Sequence, residues 1–232
     1  MLRGEIRPAK DCGDAELCAM YRLMEEFYDG TDEAVFRRDF AEKDFCLSLY
    51  AEDGSLAGFT TQKILAVDVD GRRVEGVFSG DTIIHRKYWG DQTLFKVWAD
   101  FWFRYAGAKK EFYWFLICKG YKTYRMLPVF FKHFYPDCRR ETPSFEKSIM
   151  DAYGSFLYPG EYNPFTGVIE YRADKDRLRQ GVADIGEREL KNRDIAFFAE
   201  KNPGYLRGND LACLARIDRE NLRPHAAEFL FS

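Results

Sequence analysis

The chain is short of the side chains from which metal centres are built. Its 232 residues hold three histidines (His85, His133 and His225), and its six cysteines (Cys12, Cys18, Cys46, Cys118, Cys138 and Cys213) form no CxxC pair. A metal site is therefore not expected. Long apolar runs are missing too, since a stretch such as Phe112 to Cys118 falls far short of a membrane span. The opening residues Met1-Leu2-Arg3-Gly4-Glu5 have no apolar run of the secretory kind. We therefore expect a cytoplasmic protein with reduced thiols. An excess of one charge is also absent. Thirty-five Lys and Arg against 38 Asp and Glu give a formal net charge of -3, which argues against a general binder of nucleic acid or of anionic membranes. No internal repeat, low-complexity tract or clear linker divides the chain, so a single domain over 1–232 is expected.

What the chain does have is rings. Aromatic residues make up 17%, with 21 Phe and 14 Tyr, within a hydrophobic fraction of 46%. That composition builds a sizeable core, and the rings belong to the core or line a pocket. Leu2 to Pro8 reads as a first strand. Asp14 caps a helix through Leu17, Met20, Tyr21, Met24 and Phe27, and Asp32 opens a shorter one through Val35, Phe36 and Phe40. The period then changes to two. Phe45 to Ala51, Leu56 to Val67 and Val74 to Ile84 read as an antiparallel meander, turned at Glu52-Asp53-Gly54 and Asp70-Gly71.

The chain is organised around residues 75–94. A strand ends at Ile83-Ile84, a polar turn follows, and an apolar-faced helix runs from about Gln92 to Tyr105 through Leu94, Phe95, Trp98, Phe101 and Trp102. A strand feeding a helix through a short glycine-bearing loop aims free N–H groups at that loop, which is a ready anion site. The unbroken apolar run Phe112 to Cys118 reads as a strand buried on both faces and paired in parallel after the crossover. Gly120 opens a further helix, with Pro128 kinking or restarting it. From Tyr135 onward, Pro136, Pro143, Pro159 and Pro164 mark a loop-rich span. After it come a short strand near Val168 to Tyr171, a helix from Asp184 to Lys201, and a last strand from Leu211 to Ile217.

This order of elements resembles the GNAT N-acyltransferase superfamily. Around the turn, Ile83-Ile84 stands for the family's apolar pair, Tyr88 for its tyrosine and Gly90 for the first glycine of Arg-Gly-x-Gly-x-Gly/Ala. Gly120-Tyr121-Lys122-Thr123-Tyr124-Arg125 is similar to the start of its fourth helix. The likeness covers about 2–134 and leaves 135–232 as closing strands with a helical insertion. It implies an α/β fold with a GNAT-like mixed, mostly antiparallel central sheet, a parallel central pair, flanking helices and an extended C-terminal part. Three departures stand out: Trp89 at the arginine, Gln92 at the second glycine, and Asp91 where a pyrophosphate would lie. Glycines let backbone N–H groups approach phosphate closely because no Cβ intervenes, and Asp91 is suited to capping the helix in competition with a phosphate.

The resemblance implies direct transfer of an acyl group from acyl-CoA, acetyl or longer, to an amine of a small molecule. Ile83, Ile84, His85, Arg86, Trp89, Gly90, Asp91, Gln92 and Thr93 would hold the donor. An acyl carrier protein is the alternative donor, and a non-catalytic ligand-binding or interaction module is the reading of a different class. A homodimer is left open. Transfer needs a base for the amine, donors for the thioester oxygen and an acid for the thiolate. On a regular strand Glu75, Val77, Ser79 and Asp81 share a face, so Glu75 and Asp81 are the candidate bases, or else solvated carboxylates on an exposed face. Tyr124 resembles the family's general acid, with Tyr121 its competitor one turn earlier and core packing the plainer role.

Overall fold

The computed structural model describes residues 2–109, 111–171 and 175–231. The chain begins with β1 (Arg3–Pro8), α1 (Asp14–Glu25), β2 (Tyr28–Asp29) and α2 (Glu33–Ala41). Gly13, with no side-chain cap, precedes α1, so Asp14 is the first helical residue and not its cap. Asp32 does cap α2, its carboxylate accepting the Val35 N–H at 2.8 Å. The meander then follows as β3 (Phe45–Tyr50), β4 (Leu56–Val69) and β5 (Arg72–Ile84). Asp70 (φ 50°) and Gly71 (φ 74°) are both left-handed at the second hairpin, the geometry whose twist suits adjoining strands.

The crossover helix α3 (Thr93–Gly107) returns the chain to β6 (Phe112–Cys118), which pairs in parallel with β5 from Glu75↔Phe112 to Ser79↔Leu116. Next come α4 (Tyr121–Tyr124) and α5 (Met126–Phe130). Pro128 lies in the first turn of α5, where no intrahelical N–H bond is required of it. The rest is α6 (Ser144–Leu157), β7 (Tyr162–Asn163), β8 (Val168–Ile169), β9 (Arg177–Leu178), α7 (Glu187–Leu190), α8 (Arg193–Lys201), β10 (Asp210–Arg216) and α9 (Pro224–Phe231). Eight strands form one mixed sheet in the order β1-β3-β4-β5-β6-β10-β8-β7, antiparallel except at β5–β6, while β2 and β9 pair separately.

Helices cover both faces. On one, α3, α5, α8 and α9 pack Trp98, Trp102, Phe130, Phe198 and Leu230 against Leu47, Val77, Trp114 and Cys213. On the other, α6 packs Ile149, Met150 and Tyr153 against Val74, Phe78 and Phe115, and α1 and α2 pack Met20, Phe36 and Phe40 against Cys46, Phe59 and Ile83. Each such side chain contributes about 1.5–3 kcal/mol by leaving water.

Four expectations are corrected. The strand at Phe45, whose period-two pattern predicts one buried face, is buried on both, because α3 covers one and α1 and α2 the other. The loop-rich span after Tyr135 also holds a helix that was not expected, α6, between loops on either side. The expected helix over Asp184 to Lys201 is two, because Asn192 caps α8 by accepting the Asp194 and Ile195 N–H groups. The fourth concerns β5. Thr60 pairs with Thr82 but Gln62 pairs with Ser79, so Gly80 and Asp81 together oppose Thr61. This β-bulge breaks the alternation. Val77 packs on the α3 face, whereas Ile83, six residues on, packs on the α1–α2 face. Asp81 therefore does not share a face with Glu75, Val77 and Ser79.

Candidate active site

Pairing between β5 and β6 stops at Ser79↔Leu116, while β5 runs on to Ile84. Beyond that point the two strands part, and a cavity of about 710 Å³ fills the gap, reaching both faces of the sheet. The bulge sets its rim. A Cβ on Gly80 would lie 2.7 Å from Thr61 Oγ1 and 3.2 Å from Lys43 Cε, so glycine is the residue that fits there.

On the α3 face the cavity wall is apolar: Leu94, Phe95, Trp98, Trp114, Met126 and Phe130. Phe95 and Phe130 stack with ring centroids 4.4 Å apart. The polar atoms at its floor are spent on one another. Trp114 Nε1 donates to Ser79 Oγ (2.8 Å), the Ser79 hydroxyl donates to Gln62 Oε1 (2.9 Å), and Trp98 Nε1 donates to the same oxygen (3.1 Å). The Gln62 amide donates to Thr60 Oγ1 at 2.9 Å. A buried network with its members satisfied fixes the geometry of these rings.

On the opposite face the wall is charged and phenolic. Lys119 lies 3.2 Å from Asp210 and 3.4 Å from Asp176, and Lys175 lies 3.1 Å from Asp176. The Tyr171 hydroxyl donates to Asp210 at 2.9 Å. Burial opposes ionisation of Asp176, but the two ammoniums outweigh it and hold its carboxyl below the usual range. Burial pushes Asp210 up, with Lys119 opposing. Asp81 faces the same lobe. Among the described residues no ion pair or hydrogen bond engages its carboxyl, and burial pushes its pKa up, only partly countered by Lys43. Lys43 is itself lowered by burial, its Nζ bonded to the Asp39 carbonyl at 2.8 Å. Tyr28 and Tyr158 complete the lobe, both phenols raised by burial.

The turn after β5 closes the cavity mouth. Ile83, Ile84, Trp89, Gly90, Asp91 and Gln92 line it, whereas His85, Arg86 and Thr93 lie just outside. Gly90 takes φ +98°. Asp91 is not the cap of α3, which Gln92 occupies without a side-chain bond, but it sits one residue earlier and its carboxylate accepts the Thr93 N–H at 2.8 Å. Trp89 donates its indole N–H to the Ile84 carbonyl at 2.8 Å and remains 43% exposed. Lys122 Nζ sits 4.0 Å and the Arg86 guanidinium 5.2 Å from its ring centroid, so basic charge gathers at the mouth through cation–π contact. His85 Nδ1 accepts the Lys87 N–H, and its Nε2 lies 3.7 Å from Glu26. Arg125 also lines the cavity, and its Nε is buried without a hydrogen-bond partner among the described residues.

Two expected residues are not brought here. Glu75 lies six residues before Asp81, about 20 Å along the strand, and pairs with Lys109 at 2.9 Å on a separate surface beside Arg72, Arg73 and Glu111. Tyr124 is fully buried among Phe134, Phe197 and Phe198, and its hydroxyl donates to the Pro136 carbonyl at 2.9 Å. Neither lines the cavity. Sequence reasoning missed Lys43, Lys119, Tyr158, Tyr171, Asp176 and Asp210. One signal was present: Lys119 and Asp210 are charges directly abutting the apolar runs that became β6 and β10.

No family model matches the sequence, and no curated protein matches it. Solved structures do. The chain is similar to a protein of unknown function and probable N-acyltransferase from Enterococcus faecalis: 16% identity, 58% of this chain and 33% of that one, TM-score 0.43. It thus spans about a third of that relative's length. It is also similar to a GNAT family N-acetyltransferase from Escherichia coli in complex with CoA, at 16% identity over 54% of this chain and 68% of that one, TM-score 0.38. A third is an aminoglycoside acetyltransferase from an uncultured soil metagenomic sample in complex with sisomicin, at 13% identity over 54% and 82%, TM-score 0.39. The chain's own topology defines its class. An antiparallel meander, a crossover helix and a parallel pair parting at a bulge make a GNAT-like fold.

Proposed function

We propose that this chain is an N-acyltransferase that moves an acyl group from acyl-CoA to the amine of a small molecule by direct transfer. The observation that carries the reading is the opening between β5 and β6 with the Asp81 carboxyl facing it, unengaged by any described residue. Beyond Ser79 the β6-facing edge of β5 has no strand partner, so an extended pantetheine arm can lie along it, and its N–H groups can meet a thioester oxygen. The acceptor enters the charged lobe as an ammonium and gives one proton to Asp81. The neutral nitrogen attacks the thioester carbon and the C–S bond breaks. The leaving thiolate takes a proton from a cavity phenol, Tyr28 or Tyr158, and the excess proton on the amide nitrogen returns to the phenolate. Lys122, Arg86 and the orphaned Arg125 Nε supply positive charge where the donor's phosphates enter.

The expected bases thus reduce to Asp81, and the acid moves from Tyr124 to a phenol that lines the cavity. The test is thiol release from acyl-CoA across a panel of small amines. Asp81→Asn is expected to lower kcat/KM by about 10²–10⁴ with donor affinity retained. Undiminished turnover would remove Asp81 from the chemistry.

A second donor is favoured by one observation. With Asp91 holding the Thr93 N–H, the helix start has fewer free donors for a pyrophosphate. The arm of an acyl carrier protein presents a single phosphate and needs fewer. A protein that binds neither donor would fit the non-catalytic module.

A further inference from the structure

The apolar lobe specifies the donor's acyl group. We propose that it receives a medium- or long-chain alkyl group, not an acetyl group, with the thioester at the bulge and the chain running to the α3 face of the sheet. The inference rests on the acyltransfer reading for the thioester, but the lobe addresses the chain alone.

Three observations carry it. First, the cavity reaches both faces, and the division of chemistry between them is sharp: the titratable groups Asp81, Lys119, Asp176 and Asp210 are on one, and Phe95, Trp98, Trp114 and Phe130 are on the other. An amine acceptor has partners on the first face only. Second, the polar atoms at the floor of the ring-lined lobe are already bonded within the protein, through Trp98, Trp114, Ser79, Gln62 and Thr60. These floor atoms therefore offer little to a polar substituent, and an apolar hollow is filled most favourably by an apolar ligand. Third, the ring-lined wall is broad: Leu94, Phe95, Trp98, Trp114, Met126 and Phe130 offer more apolar surface than two carbons can cover, within a cavity whose two lobes together measure about 710 Å³.

The geometry also gives the order of parts. Gly80 and Asp81 bulge at the point where the strands part. A thioester beside them has the amine lobe on one side and the ring-lined lobe on the other, so chain and nucleophile approach the carbonyl from opposite faces without competing for space.

The experiment is a calorimetric titration of the full chain with acetyl-, butyryl-, octanoyl- and dodecanoyl-CoA, run beside dodecanoate alone with tryptophan fluorescence as a second readout. Affinity is expected to rise about fourfold per added methylene until the lobe is full, and dodecanoate is expected to change the emission of Trp98 and Trp114. Met126→Trp, with Leu94→Trp as the second variant should the first not fold, is expected to flatten the chain-length dependence. Equal affinity for acetyl- and dodecanoyl-CoA, or chain-length dependence untouched by a folded plug variant, would overturn the inference while leaving acyl transfer standing. Dodecanoate binding that a plug variant abolishes, with no CoA ester bound, would uphold the lobe and refute the CoA donor. Binding of neither dodecanoate nor any CoA ester would overturn both.

Discussion

At the residue scale the proposed reaction rests on the Asp81 carboxyl, which the β5 bulge turns into the charged lobe. Asp81 is pushed above its usual range chiefly by burial, and a base must be deprotonated to act. The acid limb of kcat/KM is therefore expected above the ordinary aspartate value of about 3.9, and Asp81→Asn should abolish that limb. A pH–rate profile checks both, and a limb at the ordinary value would contradict the assignment. Tyr124 makes the opposite case. Its hydroxyl is the donor to the Pro136 carbonyl in a closed core, so Tyr124→Phe should cost about 1–3 kcal/mol of stability by stranding that acceptor. Denaturant unfolding measures the loss, and the rate at saturating substrate should hold. Tyr124 fitted the family's position by spacing, but spacing does not reveal which face of a short helix the core will claim.

At the scale of elements, the meander, the crossover helix and the parallel strand were legible because each is written in local periodicity and turn chemistry. The bulge was not. An extra residue in β5 exists only relative to the strand it faces, and nothing in Ser79-Gly80-Asp81-Thr82 states that Gly80 and Asp81 both oppose Thr61. Counting by twos therefore put Asp81 on the wrong face. The turn into α3 was read more closely, since Asp91 does take the Thr93 N–H. Asp91→Ala is expected to cost about 1 kcal/mol of stability and to tighten acyl-CoA binding by freeing that donor and removing a negative charge. Unchanged affinity on titration would mean that the phosphates do not approach this turn.

Across the whole molecule, the C-terminal part helps to build the charged wall of the cavity. Sequence placed closing strands there, but Tyr158, Tyr171, Asp176 and Asp210 meet β5 and β6 only through long-range packing, which no local pattern encodes. Lys119 fastens them by bridging Asp176 and Asp210. Lys119→Met would leave the buried Asp210 without its cation and Asp176 with Lys175 alone, an expected loss of about 3 kcal/mol, read as a lowered unfolding midpoint. Among the described residues no helix is long and apolar enough to cross a membrane.

The central claim is that the gap between β5 and β6 holds the donor. Hydrogen exchange with and without saturating acyl-CoA is the test, because the N–H groups of β5 and β6 that face the gap have no strand partner among the described residues, whereas their other edges pair with β4 and β10. Slowed exchange is expected in 80–84 and 117–122, with little change around Glu75 and Lys109. Protection confined to other segments, or none at a concentration where calorimetry shows binding, would contradict it.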